Sequence, residues 1–198
     1  MRFKGNSDQS RIFTHDAGQI VLDFEKTGTG DAANGDLSHR YLWGTAVDQI
    51  LADEVVDDGT ADDVAWALTD HLNSVRDLVE YNPGSDTASV IKHVTYDAFG
   101  NLTSDSAPAV DSLFLFTARP YDADAQLQNN LNRWYDPATG RWMSTDPIGF
   151  EAGDANLYRY VGNGVSISVD PRGLADEEGV EPKQDELDEG DFFYRDLK

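Results

Sequence analysis

Short runs of β-branched, aromatic and aliphatic residues recur along the first half of the chain, separated by polar, glycine-containing segments. Two such runs around a short turn segment predict a β-hairpin. The pattern predicts these units: 12–15 with 20–24, 41–44 with 49–52, 64–68 with 75–81, and 89–96 leading into a turn at 97–103. Repeated hairpins at irregular spacing indicate a mainly β repeat architecture rather than a closed sandwich.

Other segments give weaker local predictions. Residues 53–63 contain six acidic side chains and are expected to form a loop. Phe114 and Phe116 alternate across one residue and predict a further strand. Residues 126–131 and 156–160 are expected to be short helices or turns. The polar residues 1–11 are expected to be a disordered N-terminus.

The charge of the chain narrows the choice of partners. There are 15 basic and 37 acidic residues, and the net charge is −22. Such a surface repels phosphate backbones, so nucleic-acid binding is disfavoured. No apolar run approaches the roughly 20 residues that span a bilayer, and no signal peptide is recognisable, so the export route and localisation stay unknown.

Composition also limits the chemistry. Without cysteine the chain has no disulfides and no thiolate nucleophile. The four histidines are scattered without metal-ligand spacing, and no phosphate-binding loop is present. We therefore expect no metal and no cofactor. Residues 175–198 hold ten acidic and three basic residues and are expected to form a disordered acidic tail.

Two Asp-Pro-x-Gly units, at 146–149 and 170–173, carry the candidate chemistry. Proline fixes φ and glycine permits a sharp bend, so Asp146 and Asp170 are expected on rigid turns. Two carboxyl groups that share a proton are what an aspartyl protease needs. An aspartate before proline also commonly caps a turn, as the similar unit at Asp136 illustrates.

The order of motifs in the second half of the chain resembles that of a known family. Arg-Trp-Tyr-Asp-Pro at 133–137 is followed by Gly-Arg-Trp at 140–142, the two Asp-Pro-x-Gly units and Leu174. This succession resembles the RHS repeat-associated core domain of bacterial polymorphic toxins. Upstream, residues 96–102 resemble that family's YD unit, Tyr-Asp-x-x-Gly-x-Leu. The resemblance is specific over 122–174 and weaker back to about residue 12.

The resemblance implies an organisation and a fold. Residues 12–120 would be degenerate YD-repeat hairpins of a shell fragment, which in the family encapsulates a toxin. Residues 121–174 would be the core domain that plugs the shell, and 175–198 the tail. The remainder of an RHS shell, or another RHS chain, is the implied partner. Members of the family are often secreted or lie at the cell surface.

The resemblance also implies an activity, intramolecular aspartyl proteolysis. Asp146 and Asp170 would be the acid and base, and Arg133 would assist them. The chain would cut itself between Leu174 and Ala175 and release its C-terminal segment. The alternative is a catalytically silent plug of the shell, in which the aspartates only form turns.

Overall fold

The computed structural model describes residues 9–28, 30–57 and 60–174. A sheet of eight antiparallel strands, arranged in chain order, makes up the first half of the protein. Its strands are β1 (Gln9–Asp16), β2 (Gln19–Thr27), β3 (Leu37–Trp43), β4 (Ile50–Asp57), β5 (Thr60–Thr69), β6 (Val75–Asn82), β7 (Thr87–Tyr96) and β8 (Leu102–Asp105). The mainly β fold and its succession of hairpins are as predicted.

A smaller sheet of four short strands follows. Its strands are β9 (Tyr121–Asp122), β10 (Leu127–Asn130), β11 (Arg133–Asp136) and β12 (Arg141–Trp142), in the order β12-β11-β10-β9. Short 3-10 turns lie at Asn34–Asp36, Phe116–Ala118, Gly149–Ala152 and Val161–Asn163. In the described part of the chain no helix is long and apolar enough to cross a membrane.

Two apolar clusters meet at the segment between the sheets. Phe114 contacts the rings of Tyr41 and Trp43 on the large sheet, edge-on with centroids 4.8 Å apart. Phe116, two residues on, belongs to the second cluster with Tyr135 and other aromatic residues of the C-terminal part. Residues 113–118, here called the bridging segment, therefore contact both the large sheet and the part of the chain that carries the candidate site.

The YD unit forms the turn that its residue types predict. The Asp97 carboxylate accepts hydrogen bonds from the amides of Phe99 and Asn101, at 2.9 and 3.0 Å. Gly100 has a φ of +83° and contacts the ring of Phe116 so closely that a Cβ atom would overlap it. Glycine is therefore required at this position both for its backbone conformation and for its packing.

The acidic segment 53–63 is not a loop, and that prediction is wrong. It forms most of the β4–β5 hairpin, with strand β4 ending at Asp57 and β5 beginning at Thr60. Basic residues of β3 form ion pairs with two of these acidic residues across the ladder. Asp53 pairs with His39 and Glu54 with Arg40, each at 2.7 Å. This compensation from a neighbouring strand was not visible in the local sequence.

Three other local predictions also need correction. Residues 127–130 are strand β10, because this segment pairs with both β9 and β11. Residues 114–116 form one isolated bridge and enter a 3-10 turn, because Thr117 and Ala118 have φ values of +50° and +49°. Strand β1 begins at Gln9, so residues 9–11 are ordered. Residues 1–8 and the acidic tail lie outside the described residues.

Candidate active site around Arg133

The structure brings together the three candidate catalytic residues. Arg133 begins strand β11, Asp146 follows β12, and Asp170 lies near the end of the described chain. The Nη2 atom of Arg133 lies 2.9 Å from Oδ2 of Asp146 and 3.1 Å from Oδ2 of Asp170. All three side chains are at least 95% buried. One guanidinium nitrogen thus joins the two carboxylates.

Each aspartate uses its other oxygen to stabilise its own turn. Oδ1 of Asp146 accepts the amide of Ile148 at 3.0 Å. Oδ1 of Asp170 accepts the amide of Leu174 at 3.1 Å. The turn therefore fixes each carboxylate and directs its Oδ2 atom toward Arg133. Each aspartate can thus cap its own turn and still belong to the carboxyl pair.

The third Asp-Pro unit shows what the turn alone provides. Oδ1 of Asp136 accepts the amide of Ala138 at 2.9 Å, as in the other two units. Its Oδ2 atom, however, accepts the hydroxyl of the exposed Thr139 at 2.7 Å. Burial and the arginine, rather than the Asp-Pro pattern, distinguish the candidate site.

Further contacts hold the guanidinium of Arg133 in place. Its Nε atom donates to the carbonyl of Gly173 at 2.5 Å, and Nη1 reaches the carbonyl of Leu157 at 3.5 Å. The indole of Trp142 lies beneath it, with the guanidinium carbon 4.1 Å from the ring centroid. A planar fork with several donors can make all these contacts at once, which a lysine ammonium cannot.

The turn at 170–174 is held from strand β10 and the residues after it. The side chain of Asn130 donates to the carbonyl of Asp170 at 2.6 Å. The backbone and side-chain amides of Asn132 donate to the carbonyl of Arg172 at 3.1 and 2.9 Å. Gly173 has a φ of +64°, and a Cβ atom there would lie 2.5 Å from the carbonyl oxygen of Asn130.

These contacts fix the residues that precede the predicted cleavage point. Leu174 is partly buried at the end of this turn, whereas Ala175 lies outside the described residues.

Burial makes the carboxyl group of Asp170 a weaker acid than usual. Loss of water raises the pKa of Asp170 to about 6, against the opposing effects of Arg133 and of the amides of Leu174 and Gly173. The nearby carboxylate of Asp146 adds to the rise. Burial also lowers the pKa of Arg133. Asp170 can therefore hold a proton at mildly acidic pH, as the acid of a carboxyl pair must.

A cleft of about 410 Å³ adjoins the carboxylates. Its lining includes Arg133, Trp142, Asp146 and Asp170 together with residues 152–157. Such a space can admit water to the carboxyl pair. The described residues contain no cluster of His, Asp or Glu side chains that could hold a metal ion.

Sequence reasoning missed some residues of this site. The contact of Trp142 with the guanidinium of Arg133 was not predicted, and Asn130 was not singled out at all. A signal for Asn130 was present, because Gln128 and Asn130 are two polar residues spaced by two and hence share one face of a strand. Both are buried, at 1% and 0% exposure. Buried amides of this kind are retained where they make specific hydrogen bonds.

Comparison with known sequences assigns the chain to a family. The sequence model of the Teneurin YD-shell family matches residues 60–164, more than half of the chain. The chain belongs to the teneurin YD-shell family. The matched region includes the hairpins from β5 onward, the bridging segment, Arg133 and Asp146; Asp170 lies six residues beyond it.

Several bacterial proteins share part of this YD-shell sequence. The putative uncharacterized protein YibJ of Escherichia coli K12 is 44% identical over 82 residues, which are 41% of this chain and 34% of YibJ. The tRNA nuclease WapA of Bacillus subtilis is 30% identical over 108 residues, 52% of this chain and 4% of WapA. The double-stranded DNA deaminase toxin A of Burkholderia cenocepacia is 37% identical over 93 residues, 45% of this chain and 6% of that toxin. The chain thus spans about a third of YibJ and only a few per cent of the other two proteins.

Solved structures show the same fold. The crystal structure of TcdB2-TccC3 superposes with a TM-score of 0.59 at 17% identity, covering 88% of this chain and 10% of that one. The Photorhabdus luminescens Tc holotoxin pore gives a TM-score of 0.55 at 19% identity, covering 91% of this chain and 10% of that one. These likenesses show that the chain shares its fold with a part of these much longer chains.

Proposed function

We propose that this chain is an intramolecular aspartyl protease that hydrolyses its own Leu174–Ala175 bond and releases the segment that follows. The observation that carries the proposal is the position of Asp170. Its carboxylate shares the Nη2 atom of Arg133 with Asp146 and accepts the amide of Leu174 at 3.1 Å. The carboxyl pair therefore lies one hydrogen bond from the residue that precedes the bond to be cut.

The two carboxyl groups take the usual complementary roles. Asp170, whose raised pKa favours the protonated form, donates its proton to the carbonyl oxygen of Leu174. Asp146 accepts a proton from a water molecule, which adds to the carbonyl carbon. Collapse of the tetrahedral intermediate breaks the C–N bond as Asp146 passes the proton it took from water to the amine of Ala175, and Asp170 regains a proton from a hydroxyl of the intermediate. The products are a carboxylate on Leu174 and an ammonium on Ala175.

Arg133 supports this chemistry by position and charge. Its Nε atom holds the carbonyl of Gly173, one residue before the scissile carbonyl. Its Nη2 atom stabilises the negative charge that passes between the carboxylates during the reaction. Because the guanidinium is anchored by Trp142 and Leu157, it does not need to reorganise when the charge moves.

The relatives support a role in release rather than in a toxin reaction. One is named as a tRNA nuclease and another as a DNA deaminase toxin, and the shared region is only 4% and 6% of their lengths. Because each of these proteins shares only a small part of its length with this chain and the two are named for different chemistries, the shared sequence is a better candidate for a step outside either chemistry. We propose residues 121–174 as the protease and 175–198 as the released segment.

We further propose that residues 12–120 complete their sheet with another part of an RHS shell. Among the described residues, β1 pairs only with β2, so its outer edge offers a row of backbone donors and acceptors. Exposed strand edges commonly pair with a further strand. The remainder of a longer shell, or another RHS chain, would supply it.

A silent structural plug is the second candidate function. It is favoured by one observation, the use of Oδ1 of both aspartates to cap their own turns. In that case the Arg133 cluster would only lock three segments together, and the chain would stay whole.

Intact mass spectrometry separates the two functions. The chain is purified rapidly at pH 6 beside Asp146→Asn and Asp170→Asn variants, which keep the size of each side chain. The protease predicts that the unsubstituted chain ends at Leu174 and that both variants end at Lys198. An unsubstituted chain that also ends at Lys198, or equal cutting in all three, would overturn the proposal in favour of the plug.

Acid hydrolysis of Asp-Pro bonds needs a control. The chain contains three such bonds, beginning at Asp136, Asp146 and Asp170. That reaction leaves a new C-terminus on aspartate, whereas the protease leaves it on Leu174. The mass of the fragment therefore identifies the reaction that produced it.

A further inference from the structure

A row of buried polar side chains connects the large sheet with Asp170. Oγ of Ser74, just before β6, accepts the amide of Thr117 in the bridging segment at 3.0 Å. The Gln128 side-chain amide lies 3.4 Å from the Thr117 hydroxyl and 2.9 Å from Oδ1 of Asn130. Asn130 then donates to the carbonyl of Asp170 at 2.6 Å. We call Ser74, Thr117, Gln128 and Asn130 the polar row.

The members of the polar row are almost completely inaccessible to solvent. Their exposures are 0%, 2%, 1% and 0% in chain order. Burying polar groups costs free energy unless each finds a partner, and a fully bonded set fixes one arrangement of its surroundings. Here the bonds also fix the orientation of the amides. Because Gln128 donates to Oδ1 of Asn130, the Nδ2 group of Asn130 is the one that faces Asp170.

The backbone of the bridging segment indicates that its position is imposed by these contacts. Thr117 is β-branched and yet has a φ of +50°, and Ala118 has a φ of +49°. Such conformations cost about 1–3 kcal/mol and persist where the surroundings hold them. Ser74 supplies one such contact, and the amide of Val75 supplies another by donating to the carbonyl of Leu115 at 3.0 Å.

We propose that Thr117, Gln128 and Asn130 are positioning residues, which place the Asp170 turn only when the bridging segment is docked on the large sheet. Docking of the bridging segment on the β5–β6 hairpin, at Ser74, thereby controls when the site forms and when the chain is cut. The inference rests on the proposed protease and adds a means of regulating it. It also explains why polar side chains occupy the buried face of β10.

The charged and titratable groups around Asp170 define what a pH measurement reports. Arg133 and Asp146 face its carboxyl group, and the hydroxyl of the buried Tyr160 lies near its backbone. The polar row contacts the carbonyl of Asp170 rather than its carboxylate. Loosening the row therefore changes the acidity of Asp170 by moving the turn and admitting water, not by removing a charge.

The first test uses Thr117→Val and Thr117→Ser. Valine keeps the branch and volume but removes the hydroxyl oxygen that faces Gln128, whereas serine keeps the oxygen. We expect Thr117→Val to slow self-cleavage about tenfold or more, because the Asp170 turn is displaced, and Thr117→Ser to restore the rate. In Thr117→Val the carboxyl group of Asp170 regains water, which lowers its pKa. The fall in cleavage rate on the high-pH side of the curve therefore occurs at a lower pH. Equal rates and an equal fall on the high-pH side in both variants would overturn the proposal.

A second pair of variants tests the last contact of the row. Asn130→Asp replaces the donor at the carbonyl of Asp170 with a carboxylate, so the turn is held less well and cleavage slows. The added negative charge raises the pKa of Asp170, so the fall in rate on the high-pH side moves to higher pH. Asn129→Asp is the matched control, since this neighbour is half-buried and its Oδ1 atom accepts the amide of Leu131 at 3.1 Å, which a carboxylate can also do. A comparable fall in the Asn129→Asp chain would show that the effect is not specific to the row.

One further measurement separates failure of the row from failure of the protease. The Asp170 carboxyl group is titrated by ¹³C NMR in the Asp146→Asn chain, with Thr117 unchanged or replaced by valine or serine. The row predicts a lower midpoint with valine only. If the unsubstituted chain stays whole, the proposed protease is wrong, but this titration still tests whether the polar row positions Asp170. If the three midpoints are equal, the positioning role of the polar row is wrong, even when the chain cuts itself.

Discussion

Two buried arginines in this protein each lie between several carboxylates, yet their surroundings differ. Arg11 and Arg133 have side chains that are both 2% exposed. The Nε atom of Arg11 donates to Oδ2 of Asp23 at 2.6 Å, and Glu25 and Asp111 lie at 3.3 and 3.5 Å from its nitrogens. By charge alone the two clusters look alike, but Glu25 and Asp111 are 42% and 49% exposed, whereas both carboxylates at Arg133 are buried.

A further difference lies in the backbone around each cluster. Arg11 and Glu25 face each other across the β1–β2 ladder, so regular strand pairing brings Asp23 and Glu25 to Arg11, and Asp111 is added from the segment after β8. The partners of Arg133 lie on two Asp-Pro turns, border a cleft of about 410 Å³ and adjoin Leu174. A buried arginine with carboxylates is thus weak evidence for catalysis. Fixed turns, room for water and a neighbouring peptide bond are the informative features.

Replacing each arginine by lysine should give the largest contrast. In Arg133→Lys a single ammonium cannot bind Gly173 and both carboxylates together, so self-cleavage should fall about 100-fold. Arg11→Lys should leave the cleavage rate unchanged and lower the free energy of unfolding by about 1–3 kcal/mol, because buried acceptors lose their donors. The measurements are cleavage followed by mass spectrometry and unfolding in urea. If the Arg11→Lys chain is fully folded and still fails to cut itself, the distinction between a structural Arg11 cluster and a catalytic Arg133 cluster is wrong.

The two glycines of the Asp-Pro-x-Gly turns sharpen the role of the backbone. Gly149 and Gly173 have nearly equal φ values, +63° and +64°, but only Gly173 is packed against other atoms. Gly149→Ala should cost about 1–2 kcal/mol of stability through strain alone. Gly173→Ala adds a clash with the carbonyl of Asn130 that displaces the turn, so cleavage should fall at least about tenfold. Equal cleavage by the two folded variants would show that the position of this turn does not matter.

The smallest effect concerns stability against pH. Burial raises the pKa of both Asp170 and Asp23, in the case of Asp170 to about 6 from 3.8. A raised pKa means that the folded state favours the protonated acid. The contribution of Asp170 to stability is therefore fully present below pH 3.8 and is lost as the pH rises through about 6.

Urea unfolding between pH 4 and 7 checks this sign. In the Asp146→Asn background, which keeps the chain whole, the free energy of unfolding should decline over this range, and adding Asp170→Asn should flatten the decline. Asp23→Asn in the Asp146→Asn background should also reduce this decline in stability. In the chain that keeps Asp146, Asp23→Asn should leave the pH dependence of cleavage unchanged. An increase in stability from pH 4 to 6 that Asp170→Asn removes would contradict the raised pKa.

The sequence predicted the hairpins because their signals are local. Alternating side chains, a turn aspartate and a glycine such as Gly100 lie within a few residues of one another, and the predicted pairings of β1 with β2 and β5 with β6 are confirmed. The acidic segment 53–63 was misread because two of its acidic side chains pair with His39 and Arg40 on another strand. Strand β10 was missed because it depends on pairing with β9 and β11 rather than on its own residues.

For the candidate site, the sequence by itself determined which residues have the required chemistry. Asp-Pro-x-Gly fixes a bent backbone around each aspartate, and the motif order singled out Arg133. Only the tertiary structure decided that Asp146 and Asp170 share one nitrogen of that arginine and that Asp136 does not. The physical reason is separation: contacts across 37 and 40 residues depend on how strands and turns pack, and local residue preferences do not specify that packing.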